Sequence, residues 1–94
     1  MSKKWCSSYD TGDMIYFSNG QSGMRYGNVT YYDNIHSVTE GVVTYYFDKN
    51  YRRLGRSVDN RNGTYTYFDD NGREIGHSVR NGRITDYLGN CFPL

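Results

Sequence analysis

Tyr46-Phe47-Asp48-Lys49-Asn50, followed by Leu54-Gly55-Arg56-Ser57-Val58, returns 21 residues later as Tyr67-Phe68-Asp69-Asp70-Asn71, followed by Ile75-Gly76-His77-Ser78-Val79. An internal repeat of this kind fixes architecture before any other signal does. In each copy a run of aromatic and β-branched residues meets a turn-forming cluster and then a second run, which is the pattern of a β-hairpin. Asn-Gly, the strongest short-range hairpin signal, occurs at Asn19-Gly20, Asn62-Gly63, Asn71-Gly72 and Asn81-Gly82. Pairing outward from Asn71-Gly72 as a two-residue loop sets Phe68 opposite Ile75, Tyr67 opposite Gly76 and Tyr65 opposite Ser78. Shifted back one repeat, the rule sets Phe47 opposite Leu54, Tyr46 opposite Gly55 and Asp48 opposite Arg53. A ring lying across a strand glycine compensates for the missing side chain. A slip of one residue would destroy every such pair, so the register is specified.

Outward from these copies, Arg61-Asn62-Gly63 reads as a three-residue loop with Gly63 left-handed, which keeps Val58 on the face of Phe68. Asn81-Gly82 and Glu40-Gly41 read as two-residue loops, the latter setting Val38 opposite Val43. The segment Met14 to Asp33 repeats the motif imperfectly. The expected organisation is one domain over residues 1–94, with a degenerate N-terminal capping region at 1–33 and the clearest repeats at 43–90. The expected fold is all-β, an antiparallel meander of about seven or eight short strands with a 21-residue hairpin period; a short β-solenoid is the alternative. The expected core is the face bearing Phe17, Val38, Val43, Phe47, Leu54, Val58, Phe68, Ile75, Val79, Ile84 and Leu88.

Composition agrees with sheet. The 94 residues contain no Ala and only three Leu, while aromatics reach 17% and eleven residues are Tyr, so burial must rest on rings. Residues 1–48 carry three Lys/Arg against five Asp/Glu, and residues 49–94 carry eight against five, leaving a net charge of +1. That balance lacks the concentrated basic patch of a nucleic-acid-binding domain. No apolar run approaches the ~18 residues of a spanning helix, and the start lacks the apolar centre of a signal peptide, so the expected location is the cytoplasm. An open sheet separates Cys6 from Cys91, and the expectation is two reduced thiols.

The run Thr64-Tyr65-Thr66-Tyr67-Phe68-Asp69-Asp70-Asn71-Gly72-Arg73 is similar to the tyrosine-aspartate (YD) repeats of the bacterial Rhs family. It also resembles MORN-type repeats and short Tyr-Asp-Gly repeat proteins of bacterial mobile elements. The resemblance covers about residues 43–90 and implies a β-hairpin sheet of bacterial or phage origin. In large Rhs proteins such repeats form sheets that spiral into a shell around a toxin; this chain is too short to enclose one, and no activity carries over.

His36-Ser37 and His77-Ser78 place a base beside a nucleophile in sequence, but neighbours on a strand point to opposite faces and form no dyad. Asp69-Asp70-Asn71-Gly72 is rich in oxygen, yet lacks the glycine and glutamate positions of the helix-flanked calcium loop and reads as turn chemistry. No metal or other cofactor and no enzymatic activity is expected. The expected function is a non-enzymatic protein-binding module, such as a small bacterial or phage inhibitor, immunity or anti-defence protein. The candidate partner-binding residues are Tyr46, Tyr67, Tyr87, Arg56 and Arg80, types enriched in interface hot spots. The alternative is a nucleic-acid- or glycan-binding module that stacks its ligand on Tyr46, Tyr67 and Tyr87. Self-association through an exposed edge strand is a further expectation, and no membrane partner is expected.

Overall fold

The computed structural model describes residues 6–88 and Cys91. Ten strands follow one another: β1 Cys6–Asp10, β2 Met14–Phe17, β3 Ser22–Tyr26, β4 Val29–Tyr31, β5 Ile35–Glu40, β6 Val43–Asp48, β7 Arg53–Asp59, β8 Thr64–Asp69, β9 Glu74–Asn81 and β10 Ile84–Tyr87. Each pairs antiparallel with its sequence neighbours, and β1 pairs with β10, closing the sheet into a barrel. The meander is therefore confirmed with more strands than expected, and the solenoid alternative is excluded. Closure leaves no free edge among these strands, so the route to self-association expected from an open sheet is missing. The described residues include no helix long and apolar enough to cross a membrane.

The pairings Tyr46↔Gly55, Tyr67↔Gly76 and Tyr65↔Ser78 are as read from the repeat. Phe47 and Phe68 depart from it: they face Arg53 and Glu74, with register shifts at Tyr46/Phe47 and Tyr67/Phe68. The cause is the turn. The hairpins 48–52 and 69–73 use three-residue loops, closed by Asp48 N–H to the Arg52 carbonyl and Asp69 N–H to the Arg73 carbonyl. One extra residue must then bulge out of each returning strand, and Leu54 and Ile75 are those residues. Asp48 does not pair with Arg53; its Oδ1 accepts from the Asn50 and Arg52 amides, as Asp69 Oδ1 does from those of Asn71 and Arg73. This is the turn chemistry expected of these aspartates. The loop 61–63 also matches, closed by the Asn60 amide on the Thr64 carbonyl with Gly63 at φ 86°. Gly41 and Gly82 stand one position earlier than expected, as first loop residues at φ 63° and 62°, so Glu40 faces Val43 and Val38 faces Tyr45.

The core lies on the opposite face from the expected one. Leu54, Ile75, Val79, Ile84 and Leu88 are exposed on the outside, whereas the interior holds Ile15, Phe17, Tyr67 and Tyr87, with Tyr32, Tyr46 and Tyr65 packed against them. Only Phe17 of the expected core belongs to this buried cluster. A ten-stranded ring is too wide for aliphatic side chains to meet across it, and rings set against small residues fill such an interior better. Each buried ring contributes about 1.5–3 kcal/mol relative to exposure. The Tyr hydroxyls are kept inside by serines: Tyr46 with Ser57 at 3.0 Å, Tyr67 with Ser78 at 2.9 Å and Tyr87 with Ser8 at 3.1 Å. Ser37 bonds the Tyr32 hydroxyl in the same manner. Among the described residues, no buried side-chain nitrogen or oxygen lacks a hydrogen-bond partner.

Glycines on the inner face make room for this packing. A methyl group at Gly23 would fall 2.7 Å from the Tyr32 ring, and one at Gly55 would strike the Phe68 carbonyl. Cys6 and Cys91 form a disulfide with Cα atoms 5.1 Å apart, correcting the expectation of reduced thiols. The geometric objection assumed an open sheet; the β1–β10 seam brings the two ends together.

Candidate functional site

One end of the barrel opens into a cavity of about 250 Å³. Tyr32, Tyr46, Tyr67 and Tyr87 form its deeper wall, Thr30, Thr39, Thr44 and Thr85 ring it, and Asp10, Arg25, Asp59 and Arg80 stand around it. These side chains converge because alternate residues of every strand point inward. Arg25 Nη1 donates to Asp10 Oδ1 at 2.8 Å and to the Gly12 carbonyl at 3.0 Å. Burial pushes the Asp10 carboxyl up. The hydrogen bonds from Arg25 and the Gly12 amide, with the charges of Arg25 and Arg80, outweigh it and hold the group below the usual carboxylate range. The Arg25 guanidinium is held above its ordinary value, chiefly by its hydrogen bond to Asp10. Desolvation pushes the phenol of Tyr32 up to about 12, and those of Tyr46, Tyr67 and Tyr87 also upward, so all four are neutral donors and acceptors at physiological pH.

A second feature lies on the outside. Met14, Met24, Tyr31, His36, Phe47 and Arg53 are successive register partners across β2 to β7, forming one continuous row around the barrel. The Tyr31 and His36 rings stack at 6.1 Å and those of His36 and Phe47 at 5.3 Å, while Tyr51 meets His36 edge-on at 5.1 Å. Tyr26 extends the row against Tyr31 at 5.9 Å. At its far end Arg53 lies 5.9 Å from the Tyr45 ring centroid and its Nε donates to Asp70 at 3.0 Å. Tyr45, Phe47, Tyr51, Arg53 and Asp70 together line a shallow concavity of about 480 Å³.

Tyr51 is held in an unfavourable conformation. It occupies the third loop position of its hairpin at φ 65°, where the related hairpins have Gly20 and Gly72 at φ 92° and 85°. A left-handed conformation costs a side-chain-bearing residue roughly 1–2 kcal/mol, and the ring is 78% exposed, so it recovers little by burial.

Of the residues singled out from the sequence, Tyr46, Tyr67, Tyr87 and Arg80 come together at the interior cavity. The three tyrosines are thus not displayed on an outer face. Arg56 is separate, on the outside with its guanidinium 4.7 Å from the Phe68 ring centroid. The outward row was missed. Its members are separated by irregular intervals in the chain, and only strand pairings followed from loop to loop align them. His36 and Ser37 do face apart, with Ser37 buried inside and His36 stacked outside. Ser78 is likewise buried against Tyr67. Among the described residues no group of three or more His, Cys, Asp or Glu side chains is placed to hold a metal ion. The chain matches no protein-family model, and comparisons with curated proteins and with solved structures return no match.

Proposed function

We propose that this protein is a non-enzymatic binding module that docks another protein on the row Met24-Tyr31-His36-Phe47, with Tyr51 at its centre. The observation that carries this reading is the continuity of the row: rings from three adjacent strands stack in register on the outer surface, with Met24 the next register partner on a fourth. Aromatic anchors framed by an arginine and a polar rim are the anatomy of interface hot spots, and the Arg53–Asp70 pair supplies that rim. Tyr51 adds a second support, since backbone strain retained at an exposed ring fits a residue kept for contact. A small inhibitor, immunity or anti-defence protein of a bacterium or phage is the type of molecule that needs only such a face. The Cys6–Cys91 bridge favours an oxidising compartment over the cytoplasm for it.

Tyr51→Gly separates contact from stability. Relief of the left-handed strain offsets the added freedom of glycine in the unfolded chain, so the expected melting temperature is unchanged or raised. Partner binding should fall at least tenfold. The measurement is affinity capture from nuclease-treated bacterial extract with the native chain, the Tyr31→Ser/Tyr51→Gly variant and Arg80→Ala, followed by mass spectrometry. A stoichiometric protein lost only with the row variant supports the reading. A partner retained by the row variant rejects this face, and material that vanishes with nuclease and with added salt transfers the function to nucleic acid.

A further inference from the structure

We propose that the interior cavity is a binding site for one uncharged polyhydroxylated molecule of monosaccharide size. The cavity is open at one end of the barrel and, at about 250 Å³, has the volume of roughly eight waters. It also lies just below the roughly 300 Å³ at which pockets for drug-sized ligands begin. Its lining defines the chemistry. Ile15 and Val42 are the aliphatic contributions, too few for a lipid or other apolar guest. The charged groups are balanced, two guanidinium groups against two carboxylates, and Asp10 already neutralises Arg25 at 2.8 Å. A ligand with net charge would therefore lose hydration at a wall whose own charges sum to zero. Four threonine hydroxyls, Thr39 and Thr44 bonded to each other at 2.9 Å, stand above phenols that stay protonated, and together they supply both donors and acceptors. Rings beneath them give an apolar floor: Tyr67 and Tyr87 are 6.3 Å apart and Phe17 lies under Tyr87 at 6.0 Å. Hydroxyl-to-hydroxyl bonding above a tyrosine floor suits a sugar ring, whose faces are apolar and whose edge is polar.

The site is independent of the outer row, because its residues alternate with those of the row on β3 to β6 and point to the other side of the sheet. The test is titration of the isotope-labelled protein with D-glucose, D-galactose, D-mannose and N-acetylglucosamine, with methylammonium and inorganic phosphate as charged probes. Saturable amide shifts at Thr44, Tyr65 and Thr85 with at least one sugar are expected. Thr85→Val should weaken that binding at least tenfold with the melting temperature preserved; if this variant does not fold, Thr39→Val at the more exposed wall serves with the same expectation. No cavity shift with any of the four sugars would overturn the proposal. Saturation by methylammonium or phosphate in place of a sugar would overturn it equally, by showing a charged guest, and so would a sugar affinity that neither threonine variant alters.

Discussion

Replacing both cysteines, as Cys6→Ser/Cys91→Ser, is expected to destabilise the protein by about 2–5 kcal/mol. For a domain of this size that lowers Tm on the order of 10–30 °C. Nine of the ten strand pairings join consecutive strands through short loops, but the β1–β10 pairing joins the two ends of the chain. Closing that seam carries the largest loop-closure entropy in the fold. The disulfide spans a sequence separation of 85 and ties the chain next to this seam, where Cys6 stands opposite Tyr87. Removing it returns that entropy to the unfolded chain and frees β1 to separate from β10. Thermal unfolding followed by circular dichroism measures the effect, and reduction of the native chain should reproduce it. A double variant within about 1 kcal/mol of the native protein would show that the seam holds without the bridge.

The second large effect is alkaline unfolding. Tyr32, Tyr46, Tyr67 and Tyr87 all have folded-state pKa values above that of a free phenol, because burial disfavours the phenolate. A group whose folded pKa is raised contributes stability that is complete below its unfolded pKa and is lost as pH rises toward the folded one. For phenols the loss begins near pH 10. Tyr32 alone, pushed up to about 12, accounts for roughly 2–3 kcal/mol across that window. With four such groups in one interior, the barrel should open cooperatively above about pH 10, and these phenols should ionise only as it does. Simultaneous ultraviolet absorbance and circular dichroism titrations check this. Full ionisation of all eleven tyrosines with the fold intact would contradict the buried arrangement.

The sequence made the pairing of strands legible, and the reason is local. Tyr46 over Gly55, Tyr67 over Gly76 and the three-residue loop at 61–63 depend on neighbours within one hairpin. Which face turns inward is a different kind of question. With a period of two, both faces of each strand are self-consistent, and the aliphatic set at Leu54, Ile75 and Val79 looked like the core. The interior instead went to Tyr, Gly and Ser, a choice governed by the width of the closed ring, and closure depends on β1 meeting β10. The same gap affected the sites. The sequence groups Tyr46, Tyr67, Tyr87, Arg56 and Arg80, but the tyrosines and Arg80 share a cavity while Arg56 lies outside it over Phe68. Tyr31, His36 and Phe47 align only once the β4–β5 and β5–β6 loops are known, and Gly41 takes a different position in the second of these than the sequence indicates.

The sorting of tyrosines between the inside of a closed barrel and an exposed row underlies both proposed sites, and residue-resolved nitration tests it directly. The folded, oxidised protein would be treated with tetranitromethane and mapped by peptide mass spectrometry over time. Tyr26, Tyr31 and Tyr51 are expected to react first, being 61%, 50% and 78% exposed, while Tyr32, Tyr46, Tyr67 and Tyr87 stay unmodified until the protein is unfolded. Nitration of Tyr46 or Tyr67 in the folded state at the rate of Tyr51 would contradict the account, since it would place these rings on an open surface.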